Sequence, residues 1–388
     1  MRVVLVVPGG VDPPGSDRVI PFIHDLVKRL CADYEVEIIA IGHEAGSRQW
    51  RLFDSRVVNV PIGRHSKTDV ARALHESTRV VSRGPRPDVV HGLWAGVTGL
   101  AAATIGRRFS VPSVVSICGG ELAALPQISY GGGMTRGGRV LARTALALPT
   151  LTTAATEWMV AHATEAGAHI DELVPLGADR SRFYSPATGV DGAHIVQIAS
   201  LNGVKDQLLA LRAFAIVREA RPDATFTLAG VDTMNGAHMA LAEQLGVRDA
   251  VRFAGFVQPD ALADLYRSAT IHLNTSWHDA GPLAVLEAAL CGVATVGTRV
   301  GHVADFAALP EPAAVAVDHE VREVARGIER LLDNPTLRRS IAQRAHAWAT
   351  AHDADHTAAT FSAIYRRLTA RSSSAAAAAS GDEPRRRT

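Results

Sequence analysis

The segment DAGPLAVLEAALCGVATV, Asp279 to Val296, joins two carboxylates to a proline able to open a helix. Pro282 lacks the N–H that would go unpaired in a first turn, so the spacing predicts a helix starting at Gly281–Pro282. The free N–H groups and positive dipole end of that helix make an anion site suited to a pyrophosphate. Gly281 permits close approach, and Leu283 and Ala284 supply backbone donors. Between Pro282 and Val296 the one charged residue is Glu287, set among Leu283, Leu286 and Leu290 at helical spacing. A carboxylate there needs a partner. It lies roughly 7–8 Å along the axis from Pro282, at about 1.5 Å per residue, one sugar ring beyond a phosphate at the helix end. A ribose diol would satisfy it, and Asp279, just outside the helix, would accept hydrogen bonds from sugar hydroxyls. The competing readings are an exposed glutamate and an ordinary helix-start acid.

Other residues extend this chemistry or are better read as scaffold. Lys205 stands at the start of a helix, where a cation opposes the dipole and calls for an anionic neighbour; the alternative is a solvated lysine. Gly9 and Gly10 follow the first apolar run without a full G-x-G-x-x-G, which argues against a dehydrogenase and leaves Gly10 to bring backbone close to a ligand. His91 falls at the carboxyl end of a strand, where α/β ligands collect, and is taken as a cleft residue with Trp94 beside it. Cys118 reads as a small buried side chain rather than a nucleophile. No metal site is expected: His352 and His356 are four apart without a third ligand, and Cys31, Cys118 and Cys291 are dispersed, as reduced thiols are. Arg136, Arg139 and Arg143 share a helical face, read as solvated.

The elements that must position these residues come from a rhythm of apolar runs. Arg2–Val7, Val36–Ile41, Val57–Ile62, Val89–Leu93, Val114–Ile117 and Thr150–Thr153 read as parallel strands covered on both faces, with helices between them. A looser stretch from Arg180 to His194 marks a boundary, placed at Ser185. A second series follows at Ile195–Ala199, Thr225–Ala229, Val251–Ala254, Ile271–Leu273 and Ala294–Val296. After Val321 the pattern is helix upon helix to about Leu368, and 371–388 reads as a disordered tail. The fold class is α/β, with two Rossmann-like doubly wound domains. At 388 residues, 47% hydrophobic and 20% charged, the chain can bury two cores. A net charge of +1 removes the global field that nucleic acid would reward. The opening MRVVLVVPGG is too short to span a membrane and has no leader pattern, so a cytoplasmic protein is expected, with peripheral association at the inner membrane surface as a variant.

The Asp279-x7-Glu287 spacing running into LEAALCGVATV resembles the acid-x7-Glu motif of family 4 retaining glycosyltransferases, glycosyl transferases group 1, of the GT-B fold. The resemblance extends to the PGG turn, PDVVHGLWAG at Pro87–Gly96, SICGGE at Ser116–Glu121, VPLGAD at Val174–Asp179, ASLNGVKDQ at Ala199–Gln207 and FAGFV at Phe253–Val257. It implies that Glu287 binds the donor ribose, Asp279 the donor sugar and Lys205 phosphate. It also implies a base site at Phe256 and Val257 using backbone groups, acceptor-side roles for His91, Trp94, Cys118 and Glu121, and a helix at Asp353–Leu368 crossing back to the first domain. Two departures stand out. Ser200 replaces the family's arginine on the pyrophosphate, leaving Ser200 and Asn202 as compensating donors, and Cys118 replaces a histidine near the transferred sugar. The expected function is transfer from a nucleoside diphosphate sugar to an acceptor, with retention, no cofactor and no metal. A non-catalytic sugar-nucleotide-binding subunit is the alternative that Ser200 and Cys118 favour. A GT-B epimerase is a third reading, against which the acid-x7-Glu pattern argues.

Overall fold

In the computed structural model, residues 1–16, 18–63, 66–185, 190 and 192–379 are described. The first half holds β1 (Arg2–Val7), β2 (Glu35–Ile41), β3 (Gln49–Leu52), β4 (Ser55–Val60), β5 (Val89–Leu93), β6 (Ser113–Ile117), β7 (Leu151–Ala154) and β8 (Glu172–Leu173). They form one sheet in the order β3-β4-β2-β1-β5-β6-β7-β8, parallel except for the β3–β4 pair. Between the strands run α1 (Pro21–Asp33), α2 (Lys67–Ser82), α3 (Val97–Phe109), α4 (Arg136–Ala147) and α5 (Glu157–Glu165). Every residue of β1 is buried, as the unbroken RVVLVV run requires of a strand covered on both faces.

The second half repeats the plan with β9 (His194–Ile198), β10 (Thr225–Ala229), β11 (Val251–Gly255), β12 (Ile271–Asn274), β13 (Ala294–Thr298) and β14 (Val315–Val317), ordered β11-β10-β9-β12-β13-β14. Its helices are α6 (Gln207–Ala220), α7 (Ala237–Gln244), α8 (Pro259–Arg267), α9 (Leu283–Leu290), α10 (Gly301–Ala308), α11 (Val321–Asp333) and α12 (Pro335–Ala351). The order of strands reverses between β1 and β5 in one sheet and between β9 and β12 in the other, and ligands of open α/β sheets collect outside such switch points.

The last helix, α13 (Ala354–Ala379), returns to the first half: Phe361, Ile364, Tyr365 and Leu368 enter a core with Val3, Leu5, Ile38 and Val89. It runs through 371–379, so that part of the expected tail is helical, in keeping with its alanines; 380–388 lie outside the described residues. Before the boundary expected at Ser185, the connecting segment already packs on the second half, with Ala178 and Phe183 in a core with Val196, Tyr266, Val285 and Leu286. The strands that the sequence did not reveal, β3, β8 and β14, are short edge or near-edge strands of four, two and three residues.

The halves meet through specific contacts. Asp305 on α10 accepts from the N–H groups of Glu157 and Trp158 at the start of α5 (2.8 and 2.9 Å), an acid at a helix N-terminus supplied from the other half. Thr156 Oγ1 donates to Ala280 O at 2.6 Å. A Cβ on Gly281 would come within 2.9 Å of the Ala155 Cβ, so this glycine is needed where the backbones converge.

Candidate active site

A cleft of about 450 Å³ opens between the halves. The second half supplies most of its wall: Ser200, Asn202 and Lys205 after β9, Gly230 and Val231 after β10, Phe256 and Val257 after β11, and Asp279 to Ala284 with Glu287 after β12, save Ala280. The first half contributes Val19, Pro21, Phe22 and Cys118.

The helix after β12 starts one residue later than the proline rule predicts. Pro282, with ψ of 107°, is the cap and Leu283 the first helical residue, and no side chain caps the end. A residue lacking N–H serves this position as well, because the donors in question belong to Leu283 and Ala284, and both line the cleft. One turn on, Glu287 is 5% exposed and lines the same cleft. Its Oε2 accepts a hydrogen bond from Tyr266 Oη at 2.8 Å. Burial pushes the carboxyl up to about 7; the Tyr266 hydrogen bond and nearby Arg182 oppose this, and Asp25 of the first half adds to it.

Lys205 and Asp279 are brought together across the switch point, where Lys205 Nζ donates to Asp279 Oδ2 in an ion pair. The loop carrying Lys205 is held from behind. Gln207, fully buried, accepts from Asn202 N–H through Oε1 and donates to Ser200 O through Nε2 (3.3 and 3.1 Å). Asn202 Oδ1 accepts from Lys205 N–H at 3.0 Å. Thr275 Oγ1, next to β12, donates to Lys205 O at 3.0 Å, and Gln197 Nε2 reaches the same carbonyl at 3.2 Å. Asp206 ends the loop in the left-handed region (φ 45°) and caps α6 by accepting from Leu209 N–H. Asn202 therefore spends its carbonyl on the loop, and only its amide nitrogen is left for a ligand.

His278, directly before Asp279, reaches across the cleft: its Nε2 donates to Gly119 O at 3.1 Å. The ring sits among Trp158, His162 and Tyr130 of the first half, with centroids 5.1 to 6.2 Å apart. Burial lowers its pKa and keeps it neutral.

The first-half residues expected at the acceptor are rearranged. His91 is fully buried, with Nδ1 2.6 Å from Tyr365 Oη on α13 and Nε2 2.8 Å from Ser116 Oγ, and burial brings its pKa down to about 3. It closes the core beneath α13 and does not line the cleft. Glu121 turns inward, where Oε1 accepts from Ala95 and Cys118 N–H groups (2.9 and 3.1 Å), and burial raises its pKa. Trp94 adopts φ 68° and packs on Phe22 (5.6 Å), which is the residue presented to the cleft. Gly10 also stands behind the wall: its carbonyl accepts from Ile20 N–H at 3.0 Å, and a Cβ there would meet Ile20 at 2.2 Å. Cys118 does line the cleft, and burial raises its thiol well above the usual range, which keeps it protonated.

Three other clusters lie away from the cleft. Asp12, His43 and Glu44 approach one another, but Arg18 reaches all three (3.2, 2.8 and 3.3 Å) and so meets the charge a cation would. His352 bonds through Nδ1 to Trp348 O at 2.8 Å. Arg139 and Arg143 donate to Gly133 O and Ala166 O (2.7 and 3.1 Å), so the face they share with Arg136 is partly tied to backbone. Among the described residues no helix is long and apolar enough to cross a membrane.

Sequence reasoning missed Tyr266, Gln207, Gln197, Thr275 and His278. Gln207 directly follows the helix-start signal and was the most accessible of these. Tyr266 offered no signal, since 21 residues separate it from the carboxylate it serves.

Residues 185–348 match the family described as "Glycosyl transferases group 1", and residues 19–178 match "Glycosyl transferase 4-like domain". The chain is 32% identical over 186 residues to a D-inositol 3-phosphate glycosyltransferase of Acidothermus cellulolyticus, covering 46% of this chain and 41% of that one. The chain thus spans less than half the length of that relative. A protein of the same name from Arthrobacter is 26% identical over 91% of this chain and 90% of its own. Among solved structures, sucrose-phosphate synthase from Thermosynechococcus elongatus superposes with a TM-score of 0.78 at 15% identity, over 96% of this chain and 100% of that one. Anabaena HepE in complex with UDP and glucose gives 0.72 at 15%, over 95% and 100%. These likenesses show the fold, GT-B, as the sequence resemblance implied.

Proposed function

Because the chain belongs to the glycosyl transferases group 1 family, we propose that it transfers a glycosyl unit from a nucleoside diphosphate sugar to an acceptor hydroxyl, with retention and without a resident metal or cofactor. The observation that carries this reading is the convergence on one cleft of a buried carboxylate, an uncapped helix N-terminus one turn before it, and the Lys205–Asp279 pair. Glu287 accepts from the ribose diol, and the N–H groups of Leu283 and Ala284 meet the diphosphate. Lys205 turns from Asp279 toward the phosphate as charge develops on the departing group, freeing Asp279 to accept from hydroxyls of the donor sugar. Helix end and lysine together stabilise the leaving group electrostatically, which is the task a divalent ion would otherwise perform. Phe256 and Val257 flank the base.

The wall opposite supports the retaining part of this reading. Among the described residues the first half presents Val19, Pro21, Phe22 and a protonated Cys118, none of them a base. The basic atom closest to an incoming hydroxyl is then an oxygen of the departing diphosphate, and attack from the face that it leaves preserves the anomeric configuration. The contacts across the cleft at Gly119–His278 and Asp305–α5 hold the halves close enough to exclude water and align the reactants. Peripheral attachment to a membrane surface remains part of this reading as the setting for a lipid acceptor, with Arg136, Arg139 and Arg143 exposed on α4.

A panel of uridine, guanosine and adenosine diphosphate sugars, read by thermal shift and by sugar transfer or hydrolysis, tests the reading. One nucleotide should stabilise the protein and be turned over. Glu287→Ala removes two charge-assisted hydrogen bonds, each worth about 1.5–3 kcal/mol, and should weaken that nucleotide at least 100-fold. Equal stabilisation of wild type and variant would sink the site assignment. Stabilisation without turnover would favour the non-catalytic binding subunit, the reading that Ser200 and Cys118 at the cleft motivate.

A further inference from the structure

We propose that Tyr266 is a positioning residue for Glu287: its phenol holds Oε2 of the carboxylate and so presents Oε1 to a vicinal diol in the cleft. The inference deepens the nucleotide reading and rests on it. Tyr266 is fully buried on α8, a helix whose tip follows the Phe256–Val257 wall. Its ring is clamped edge-on by Phe183 (6.0 Å) and His272 (5.7 Å), so the hydroxyl has little freedom beyond its 2.8 Å bond to Glu287. Burial holds the phenol far above its ordinary pKa, so it acts as a donor only. Among the described residues no hydrogen bond is made to Oε1, and Glu287 lines the cleft, so that oxygen is the one offered.

The surroundings explain why a donor is needed. Glu287 faces Asp25 from α1, Arg182 from the segment joining the halves, and Cys291 one turn along its own helix. Asp25 is itself buried and raised to about 6, and Arg182 pairs with Asp25 at 3.6 Å and with Asp260 at 3.5 Å, so it reaches Glu287 only through its field. A neutral hydroxyl favours the anionic form of Glu287 without adding a charge that would compete with the diphosphate. Without it, a carboxyl buried among such neighbours would hold its proton at neutral pH, and a protonated acid accepts poorly from two hydroxyls.

Tyr266→Phe deletes only the oxygen and keeps the ring packing. The carboxyl titration of Glu287 is followed by carbon-13 NMR, with Glu287→Gln identifying the signal. Affinities for UDP, GDP and ADP are measured calorimetrically between pH 5.5 and 9. In the variant the Glu287 titration should move up by about one pH unit or more. Affinity for the preferred diphosphate should fall about fivefold at pH 7, approaching tenfold toward pH 5.5 and narrowing toward pH 9, since one unit of pKa corresponds to a tenfold change in equilibrium constant and Glu287 of the wild type is about half ionised at pH 7. An unmoved titration, or a deficit that does not vary with pH, would overturn the proposal and leave Tyr266 a packing residue. If none of the three diphosphates binds wild type, the nucleotide reading fails; the titration needs no nucleotide and still decides whether Tyr266 holds Glu287.

Discussion

Glu287 on α9 and His91 in the middle of β5 are both buried titratable side chains, yet they answer to different masters. Glu287 has one oxygen bound by Tyr266 and lines a cleft. His91 has both ring nitrogens engaged, by Tyr365 and Ser116, and faces only protein. Burial alone therefore does not mark a functional group; what marks it is polar capacity left over once the protein's own partners are counted. The same contrast divides the two halves. The second half turns its charged and amide groups toward the cleft, and the first half turns His91 and Gly10 inward, buries Glu121 with Oε1 engaged and Oε2 without a partner among the described residues, and lines the cleft with apolar side chains and a thiol.

The sharpest way to break the comparison is Lys205→Ala. If the second half carries the chemistry, loss of this cation should lower the turnover of the preferred donor about 10²–10³-fold, the usual cost of removing one pre-placed charge-stabilising donor. Folding should be little affected, because the loop is held by Gln207, Thr275 and Asn202 and not by the lysine side chain. Steady-state rates together with a melting curve check both halves of this statement. A variant with wild-type turnover would remove Lys205 from the mechanism.

His91→Ala should do the reverse. It strands the buried Tyr365 hydroxyl, at about 1–3 kcal/mol for a group left unpaired, takes one of two partners from Ser116, which keeps Thr153 Oγ1 at 2.6 Å, leaves a cavity, and loosens α13 from the sheet. Chemical denaturation should show a loss of about 2–5 kcal/mol. The donor KM of the molecules that remain folded should change less than about threefold, which is within 1 kcal/mol. A large rise in donor KM without loss of stability would return His91 to the cleft.

This pair also shows how far the residues could be read in advance. Asp279 and Glu287 were legible as a pair because both belong to one helix-start segment, whereas Lys205, 74 residues from Asp279, was singled out only through the family resemblance. Most interior strands were legible from local pattern too, since each is a short, mainly apolar run. His91 was misplaced because its partner Tyr365 lies 274 residues later, on a helix whose docking no local pattern reports. Tyr266 was invisible on similar grounds. The edge strands β3, β8 and β14 are too short for a periodic signal to form. The expected boundary at Ser185 followed loose composition, which does not report that Ala178 and Phe183 of the connecting segment pack into the second core.

A smaller effect tests the pair by acid. Glu287 is raised to about 7 in the folded chain, so between its ordinary 4.5 and that value the folded state holds the proton more tightly than the unfolded state. Its contribution to stability is thus greatest below pH 4.5 and falls as pH rises through 7, by an amount on the order of 3 kcal/mol. His91 is lowered to about 3, so its contribution is complete above pH 6.5 and is lost as pH falls from there toward 3. Denaturation of the ligand-free protein at pH 5 and pH 8 isolates the first effect: wild type should gain on Glu287→Gln at the lower pH. A difference between the two proteins that stays constant across this range would mean that Glu287 titrates normally.

The smallest change expected is at Cys118, the first-half side chain that does share the cleft with Glu287. Burial keeps its thiol protonated, and its Sγ lies 3.5 Å from Ser116 O, a contact worth little in either binding or folding. Cys118→Ala should therefore alter turnover by less than about twofold and stability by under ~1 kcal/mol, and a thiol-alkylating reagent should react slowly at pH 8, because the thiolate is the reactive form. Cys118→His supplies the imidazole that the family resemblance leads one to expect at this position and gives the comparison its edge. If the first-half wall is limited by its lack of polar groups, the histidine should raise turnover while leaving nucleotide affinity unchanged, because Cys118 lies on the wall opposite Glu287 and Lys205. A fall in turnover with Cys118→Ala as large as that with Lys205→Ala would erase the division between the two walls.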